Sequence, residues 1–350
     1  MAKQKAVAVP CVYKKRKSRI LRFVFMEAVI IGLFAVVYFI IIRPAADGKE
    51  NKSLLTQSGF IDERMIQVRN DQYQLIKPLR LSDIHESDQL SHLKCDISQL
   101  IENKKQAGVL YSASVYYRKL NDGTWIGVNN NETFRPGSIS KIPLLMYYLK
   151  LSELKPGLLD QKYTYNKVYM ESKQETYQNT SVKLGDSYTV RDLLKKMITE
   201  SDNGATSLLL SHLDNTSLYE SIFRELHMPV PKKFSFDFAL TASDCSKFLR
   251  VLYNSTYLSD KNSEFALQLL SHTTFKEGIK KALPENVTVA NKFGESGFED
   301  APEFSETGII FEGENSYLLT VMTRGVDSKG QAEAISEISK LVYDRVNETP

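Results

Sequence analysis

The sequence predicts an α/β protein of the α+β kind: an antiparallel five-stranded sheet flanked by helices, with an all-helical subdomain beside it. Three observations predict this. Two strand-like segments joined by a tight turn precede a long helical stretch. Three further strand-like segments follow that stretch. Amphipathic helices open and close the whole region. Strands segregated from helices in this way pack as a sheet covered by helices.

The elements follow in order. Leu90, Leu93, Ile97, Leu100 and Ile101 recur at helical spacing, the pattern of an amphipathic helix. Val109 to Tyr117 is rich in Val and Tyr and reads as a strand. Asn121-Asp-Gly123 is a hairpin turn, and Thr124 to Val128 returns as a second strand. In the middle, Thr189-x-x-Asp192 is a capping box ahead of Leu193, Leu194, Met197 and Ile198. Thr241-x-x-Asp244 repeats the device before Phe248, Leu249, Val251 and Leu252. Strands resume at Val287 to Phe293, Glu306 to Phe311 and Tyr317 to Thr323, with Glu312-Gly-Glu-Asn315 joining the last two. Gln331 to Arg345 closes the chain as a helix with Ile335, Ile338, Leu341 and Val342 on one face.

With 350 residues, 42% hydrophobic and 25% charged, the chain can bury a sizeable core. Its formal charge of +3 is misleading. Residues 1–22 hold eight Lys or Arg and no acid, and setting those aside leaves 37 basic residues against 42 acidic ones. A remainder of about −5 argues against a nucleic-acid partner. Phe23 to Ile42 is apolar but for Glu27, and a helix needs roughly 20 such residues to cross a bilayer. Eight cations before it orient the N-terminus to the cytoplasm. The expected plan is a cytoplasmic tail over 1–22, a single transmembrane helix over 23–42, a stalk over 43–86 and a compact extracellular domain over 87–347. The expected location is the cell membrane. Cys11, Cys95 and Cys245 have no metal-ligand or disulfide spacing, and the five histidines form no paired motif. Neither a metal nor another cofactor is expected.

The chemistry begins at Arg135-Pro-Gly-Ser-Ile-Ser-Lys-Ile-Pro-Leu-Leu-Met146, a Ser-x-x-Lys at the mouth of an apolar helix. The first backbone N–H groups of a helix lack partners, so Ser138 brings an oxyanion donor of its own. Three residues on, Lys141 returns to the same face. A poorly solvated lysine can act as a base near neutrality. Alone the motif is weak, since Ser91-His-Leu-Lys94 also fits it and reads as an exposed helical face. Its company is specific: Ser201-Asp-Asn203 lies between two helical segments, and Lys292-Phe-Gly294 ends a strand.

Ser-x-x-Lys, Ser-Asp-Asn and Lys-Thr-Gly in this order mark class A β-lactamases and penicillin-binding proteins. From about Ser87 to Asp344 the sequence resembles that serine hydrolase superfamily, its class A β-lactamase-like branch in particular. The resemblance implies a β-lactamase/transpeptidase-like fold over 87–347 and a β-lactam or peptidoglycan-like acyl substrate. It implies that Ser138 forms an acyl-enzyme, that Lys141 handles its proton, and that Ser201 protonates the leaving nitrogen. Asn203 would orient the substrate amide and Lys292 would supply positive charge. The backbone N–H groups of Ser138 and Glu295, the latter just after Gly294, would form the oxyanion hole. Asp202 would be structural.

Two departures limit the analogy. Class A enzymes carry a loop glutamate that activates the deacylating water, in a Glu-x-x-Leu-Asn setting that this sequence lacks. Glu220 and Glu225 fall on a helical pattern, which leaves Asp237 in Phe234-Ser-Phe-Asp-Phe238 as the candidate base, on a short loop. The family hydroxyl after Lys292, which binds the substrate carboxylate, is replaced by Phe293, with Glu295 and Glu299 nearby. Ser296 offers a hydroxyl three residues out of place. Slow deacylation is therefore expected. A D,D-carboxypeptidase-like penicillin-binding protein and a non-hydrolytic binding or sensor module are the alternatives.

Overall fold

A computed structural model of the chain describes residues 86–168, 177, 181–231, 238–298 and 301–348. The expected tail, transmembrane helix and stalk lie outside these residues, as do Asp237 and Glu299. Among the described residues no helix is long and apolar enough to cross a membrane.

Helix α1 (Ser91–Gln106) leads into strands β1 (Leu110–Lys119) and β2 (Trp125–Val128). Gly123 turns the hairpin with a φ of +75°, and Asp122 Oδ1 accepts the Thr124 N–H at 2.9 Å. A short 3-10 turn, Gly137–Ser140, then runs directly into α2 (Lys141–Leu154). The helical region continues with α3 (Val190–Thr199), α4 (Asn203–Ser211), α5 (Thr216–Glu225), α6 (Ala242–Tyr253) and α7 (Asp260–Ser271). Both expected N-caps are in place: Thr189 accepts from the Asp192 N–H, and Thr241 with Asp244 forms a complete capping box. This region is not purely helical. A small antiparallel ribbon, β3 (Lys162–Thr164) with β4 (Ser187–Thr189), is inserted in it. Three-residue strands are too short for period-two alternation to show in sequence.

Strands β5 (Thr288–Phe298), β6 (Ala301–Phe311) and β7 (Tyr317–Gly325) return to the sheet, and α8 (Ser328–Glu348) closes the chain. The sheet order is β2-β1-β7-β6-β5, antiparallel throughout. The β5–β6 hairpin extends beyond the expected limits at Phe293 and Glu306. Its added residues include Gly294, Gly297 and Pro302, which local propensity disfavours in strands. Pairing overrides propensity here. Pro302 costs no central ladder bond because pairing of β6 with β7 begins one residue later, at Glu303.

Two apolar clusters lie on opposite faces of the sheet, and alternation along β7 shows the division. Leu318 and Met322 join the helical region, whereas Tyr317, Leu319 and Val321 pack with α1 and α8. Helix α2 is buried along most of its length, from Lys141 through Leu149. Such a helix is apolar all round because the core surrounds it. The residues just ahead of it therefore stand on a rigid support. Cys95 and Cys245 are free thiols, and burial pushes the Cys245 thiol pKa up.

Candidate active site

The site forms where the turn before α2 meets the outer edge of β5. Gly137 has a φ of +51°, and a Cβ there would stand 2.6 to 2.9 Å from the backbone of Glu295. A Cβ on Gly294 would lie 2.0 Å from the Pro136 carbonyl oxygen. Only glycines permit this approach, which brings the Glu295 backbone beside the turn carrying Ser138. The turn is tied down from behind. The buried carboxylate of Glu303 accepts the Arg135 N–H at 2.7 Å and holds Arg324 through Nε at 3.0 Å and Nη2 at 2.7 Å. Ser296 Oγ donates to the Arg135 carbonyl at 3.1 Å, so this hydroxyl braces the turn.

Ser138 is 5% exposed and Lys141 is 3% exposed. Lys141 Nζ donates to the Ser201 carbonyl at 2.6 Å, to Ser201 Oγ at 3.1 Å and to Asn203 Oδ1 at 2.7 Å. Lys292 Nζ reaches the same hydroxyl from the sheet, at 2.9 Å. The two ammonium nitrogens, 3.1 and 2.9 Å from one oxygen, are thus no more than 6.0 Å apart. A hydroxyl has two acceptor lone pairs and one proton. With both lysines donating, the Ser201 proton is left to point elsewhere. Ser201 is held with a φ of +56°, a left-handed conformation that costs a non-glycine residue about 1 kcal/mol or more. The α3–α4 junction maintains it. Thr274 donates to the Thr199 carbonyl, and Asp202 anchors the next helix.

Asp202 is fully buried and acts on backbone. Its Oδ1 caps α4 through the Ala205 N–H at 2.8 Å. Its Oδ2 accepts from the Ser181 N–H at 2.5 Å, Ser181 Oγ at 2.8 Å and the Val182 N–H at 3.2 Å. It fastens one segment to another.

Phe293 turns into the apolar cluster on the α8 side of the sheet. Its ring lies 4.4 Å from that of Phe275, 5.9 Å from Phe304 and 6.2 Å from Tyr177. Lys292 Nζ stands 4.3 Å from the Phe293 ring centroid and also donates to the Phe293 carbonyl at 3.1 Å. Two residues along, the Glu295 carboxylate accepts from Ser328 Oγ and from the Tyr177 N–H at 3.3 Å. Glu306 faces Phe293 in register. It is completely buried and accepts from the Ile279 N–H at 2.8 Å and Asn291 Nδ2 at 2.6 Å. Burial pushes its carboxyl pKa up to about 7, against the opposing pull of the Ile279 N–H, the Asn291 amide and the Lys292 charge.

The sheet and the helical region find their counterpart in known proteins. Residues 92–346 match the sequence profile of the beta-lactamase enzyme family. The chain belongs to this family. It is 24% identical over 247 residues to β-lactamase VEB-1 of Pseudomonas aeruginosa, spanning 64% of this chain and 82% of that protein. Among solved structures, PBP-A superposes with a TM-score of 0.64 at 20% identity, covering 77% of this chain and all of that one. A class A β-lactamase from Mycobacterium abscessus gives 0.61 at 22% identity, covering 73% and 99%. The fold is therefore the β-lactamase/transpeptidase-like fold. A variant of PBP-A has been solved as its acyl-enzyme complex with penicillin G.

Of the family positions read from sequence, Lys141, Ser201, Asn203 and Lys292 meet in one hydrogen-bonded group, beside the Ser138 turn. Glu220 and Glu225 stand apart on α5, where Glu220 pairs with Arg224 at 2.9 Å. A fourth acid of the same span, Asp214, lies at the surface near Tyr147 and Lys155. Sequence reasoning missed Glu303 and passed over Glu306 as an ordinary strand residue. Extending the strand upstream from Glu306 would have included Glu303, but glycine and proline hide that part of the hairpin.

Proposed function

We propose that the protein is a membrane-anchored serine hydrolase that forms an acyl-enzyme on Ser138 with a β-lactam or a cell-envelope amide. The observation that carries this reading is the convergence of Lys141 and Lys292 on Ser201 Oγ, beside the turn that bears Ser138. Lys141, three residues from Ser138 and back on the same helical face, serves as the base. Lys141 takes the Ser138 proton as Oγ attacks the acyl carbon. The N–H groups of Ser138 and Glu295 receive the developing oxyanion; one such donor is typically worth about 2.7–4 kcal/mol of barrier. Ser201 passes its outward proton to the departing nitrogen and regains one from a neighbouring lysine. The C–N bond breaks and Ser138 keeps the acyl group as an ester.

Release of that ester is the weaker half of the site. Glu220, Glu225 and Asp214 all sit on the surface of the helical region, and Asp237 is the remaining candidate for activating water. A long-lived acyl-enzyme is the consequence, and it keeps a binding or sensing role as the second reading. A D,D-carboxypeptidase role is disfavoured by Phe293 at the carboxylate position.

The test uses the full-length protein purified in detergent, with a labelled penicillin and a chromogenic ester, beside Ser138→Ala. Intact mass should show one acyl group on the parent protein and none on the variant. No Ser138-dependent adduct with either reagent sinks the reading. An adduct lifetime of minutes marks an enzyme, and one of hours marks a trap. Alkaline extraction of membranes should leave the intact chain in the pellet and release one lacking residues 1–42.

A further inference from the structure

We propose that Thr273 is a positioning residue for acylation. Together with Thr274 it pins the loop after α7 to the elements carrying Lys292 and Ser201, and so sets the approach of one to the other. The inference rests on acylation of Ser138 and adds a residue that none of the three motifs contains.

Lys292 and Ser201 come from distant parts of the chain, and each needs outside support. Lys292 stands on β5, the last strand in the order β2-β1-β7-β6-β5, so among the described residues only β6 pairs with it. An edge strand has no ladder on its outer side. Ser201 follows the last turn of α3, whose final carbonyls have no partner within the helix. Its φ of +56° is a conformation that persists only where the surroundings over-determine it.

The loop supplies both supports from consecutive residues. Helix α7 packs against α3 and β5 and ends at Ser271. Two residues on, Thr273 Oγ1 donates to Asn291 Oδ1 at 2.7 Å. Asn291 is 2% exposed, and its Nδ2 donates to Glu306 Oε1 at 2.6 Å. The amide is held by the loop at one end and by β6 at the other, which fixes β5 one residue before Lys292. Successive strand residues point to opposite faces. Asn291 therefore anchors the strand from the α8 side while Lys292 projects the other way, to Ser201 Oγ at 2.9 Å. The next loop residue, Thr274, donates its N–H at 2.8 Å and its Oγ1 at 3.1 Å to the Thr199 carbonyl, two residues before Ser201. Neighbouring residues make a short link, since consecutive Cα atoms are about 3.8 Å apart. Proton delivery from Ser201 to the leaving nitrogen needs the contact with Lys292 to keep its length. A misplacement of about 1 Å caused from outside the chemistry can cost about 10²-fold in rate.

The experiment uses the full-length protein, a chromogenic cephalosporin and a chromogenic ester. Maximal acylation rates are read by stopped-flow, with Ser138→Ala as the background. Thr273→Val keeps the shape of the side chain and removes its hydroxyl. It should slow acylation by the cephalosporin about tenfold or more, and by the ester less, because the ester leaving group needs less protonation from Ser201. Thr273→Ser restores the donor and should bring the rate to within about threefold of the parent. In a Ser201→Ala background, Thr273→Val should change the rate by less than about twofold, since the contact it positions is already gone. A Thr273→Val protein that acylates as fast as the parent overturns the inference. So does an equal loss in the Ser201→Ala background or with both substrates, either of which marks a general structural effect. If Thr273→Val does not fold, Thr273→Ala removes the same bond and is judged by the same limits. No Ser138-dependent adduct on the parent protein refutes the acylation reading itself, and the positioning role falls with it.

Discussion

Glu306→Gln should abolish a pH dependence of stability that the fold builds into the sheet. The Glu306 carboxyl is fully buried on β6, and burial lifts its pKa from 4.5 to about 7. That difference corresponds to about 3 kcal/mol between the protonated and ionised forms, at 1.36 kcal/mol for each pKa unit. Between about pH 4.5 and 7 the folded protein holds a proton that the unfolded chain has released. The advantage of the buried neutral acid is fully present at the acid end and is lost as pH rises through 7. Glutamine does not titrate, although its amide nitrogen cannot accept as the second carboxyl oxygen does, a cost that is the same at every pH. The stability of Glu306→Gln relative to the parent should therefore rise by about 3 kcal/mol between pH 4.5 and 8. Urea unfolding between pH 4.5 and 8 measures this. The reporter is the fluorescence of Trp125, the sole tryptophan, which stacks on Tyr116 at 5.6 Å. Taking the difference between the two proteins at each pH cancels the other titrating groups. Parallel curves across this range would refute the reasoning.

Three further outcomes follow from the same geometry. Asp202→Ala strands the Ser181, Val182 and Ala205 N–H groups, each bonded to a charged acceptor; a loss of about 3 kcal/mol or more is expected in denaturant unfolding. Gly294→Ala forces β5 away from Pro136, so labelling of Ser138 by a reactive ester should fall at least tenfold while far-ultraviolet circular dichroism stays that of the parent. Ser201→Ala removes the proton donor between the two lysines and should slow acylation by about 10²–10⁴-fold, read by stopped-flow with an amide-type acyl donor. An ester, whose leaving group needs less protonation, should be slowed less.

Much of this molecule is legible in one dimension because the signals are local. The helix caps at Thr189 and Thr241 and the Asn121-Asp-Gly123 turn each depend on neighbours a few residues apart. The ordered trio of Ser138-x-x-Lys141, Ser201-Asp-Asn203 and Lys292-x-Gly294 is also readable, since each motif sits at the boundary of a recognisable element. These determined the family, the sheet and the residues that meet beside the Ser138 turn. Tertiary structure alone decided how the motifs meet. It set two lysines from distant segments on one serine oxygen, drew the Gly294 edge against Pro136, and extended a hairpin through glycine and proline that local propensity opposes. It also turned Phe293 into a nest of rings and buried Glu303 and Glu306 as a brace and a titrating acid. Such properties depend on through-space distance and burial, and a carboxylate in a strand reads the same in sequence whether water or a closed core surrounds it.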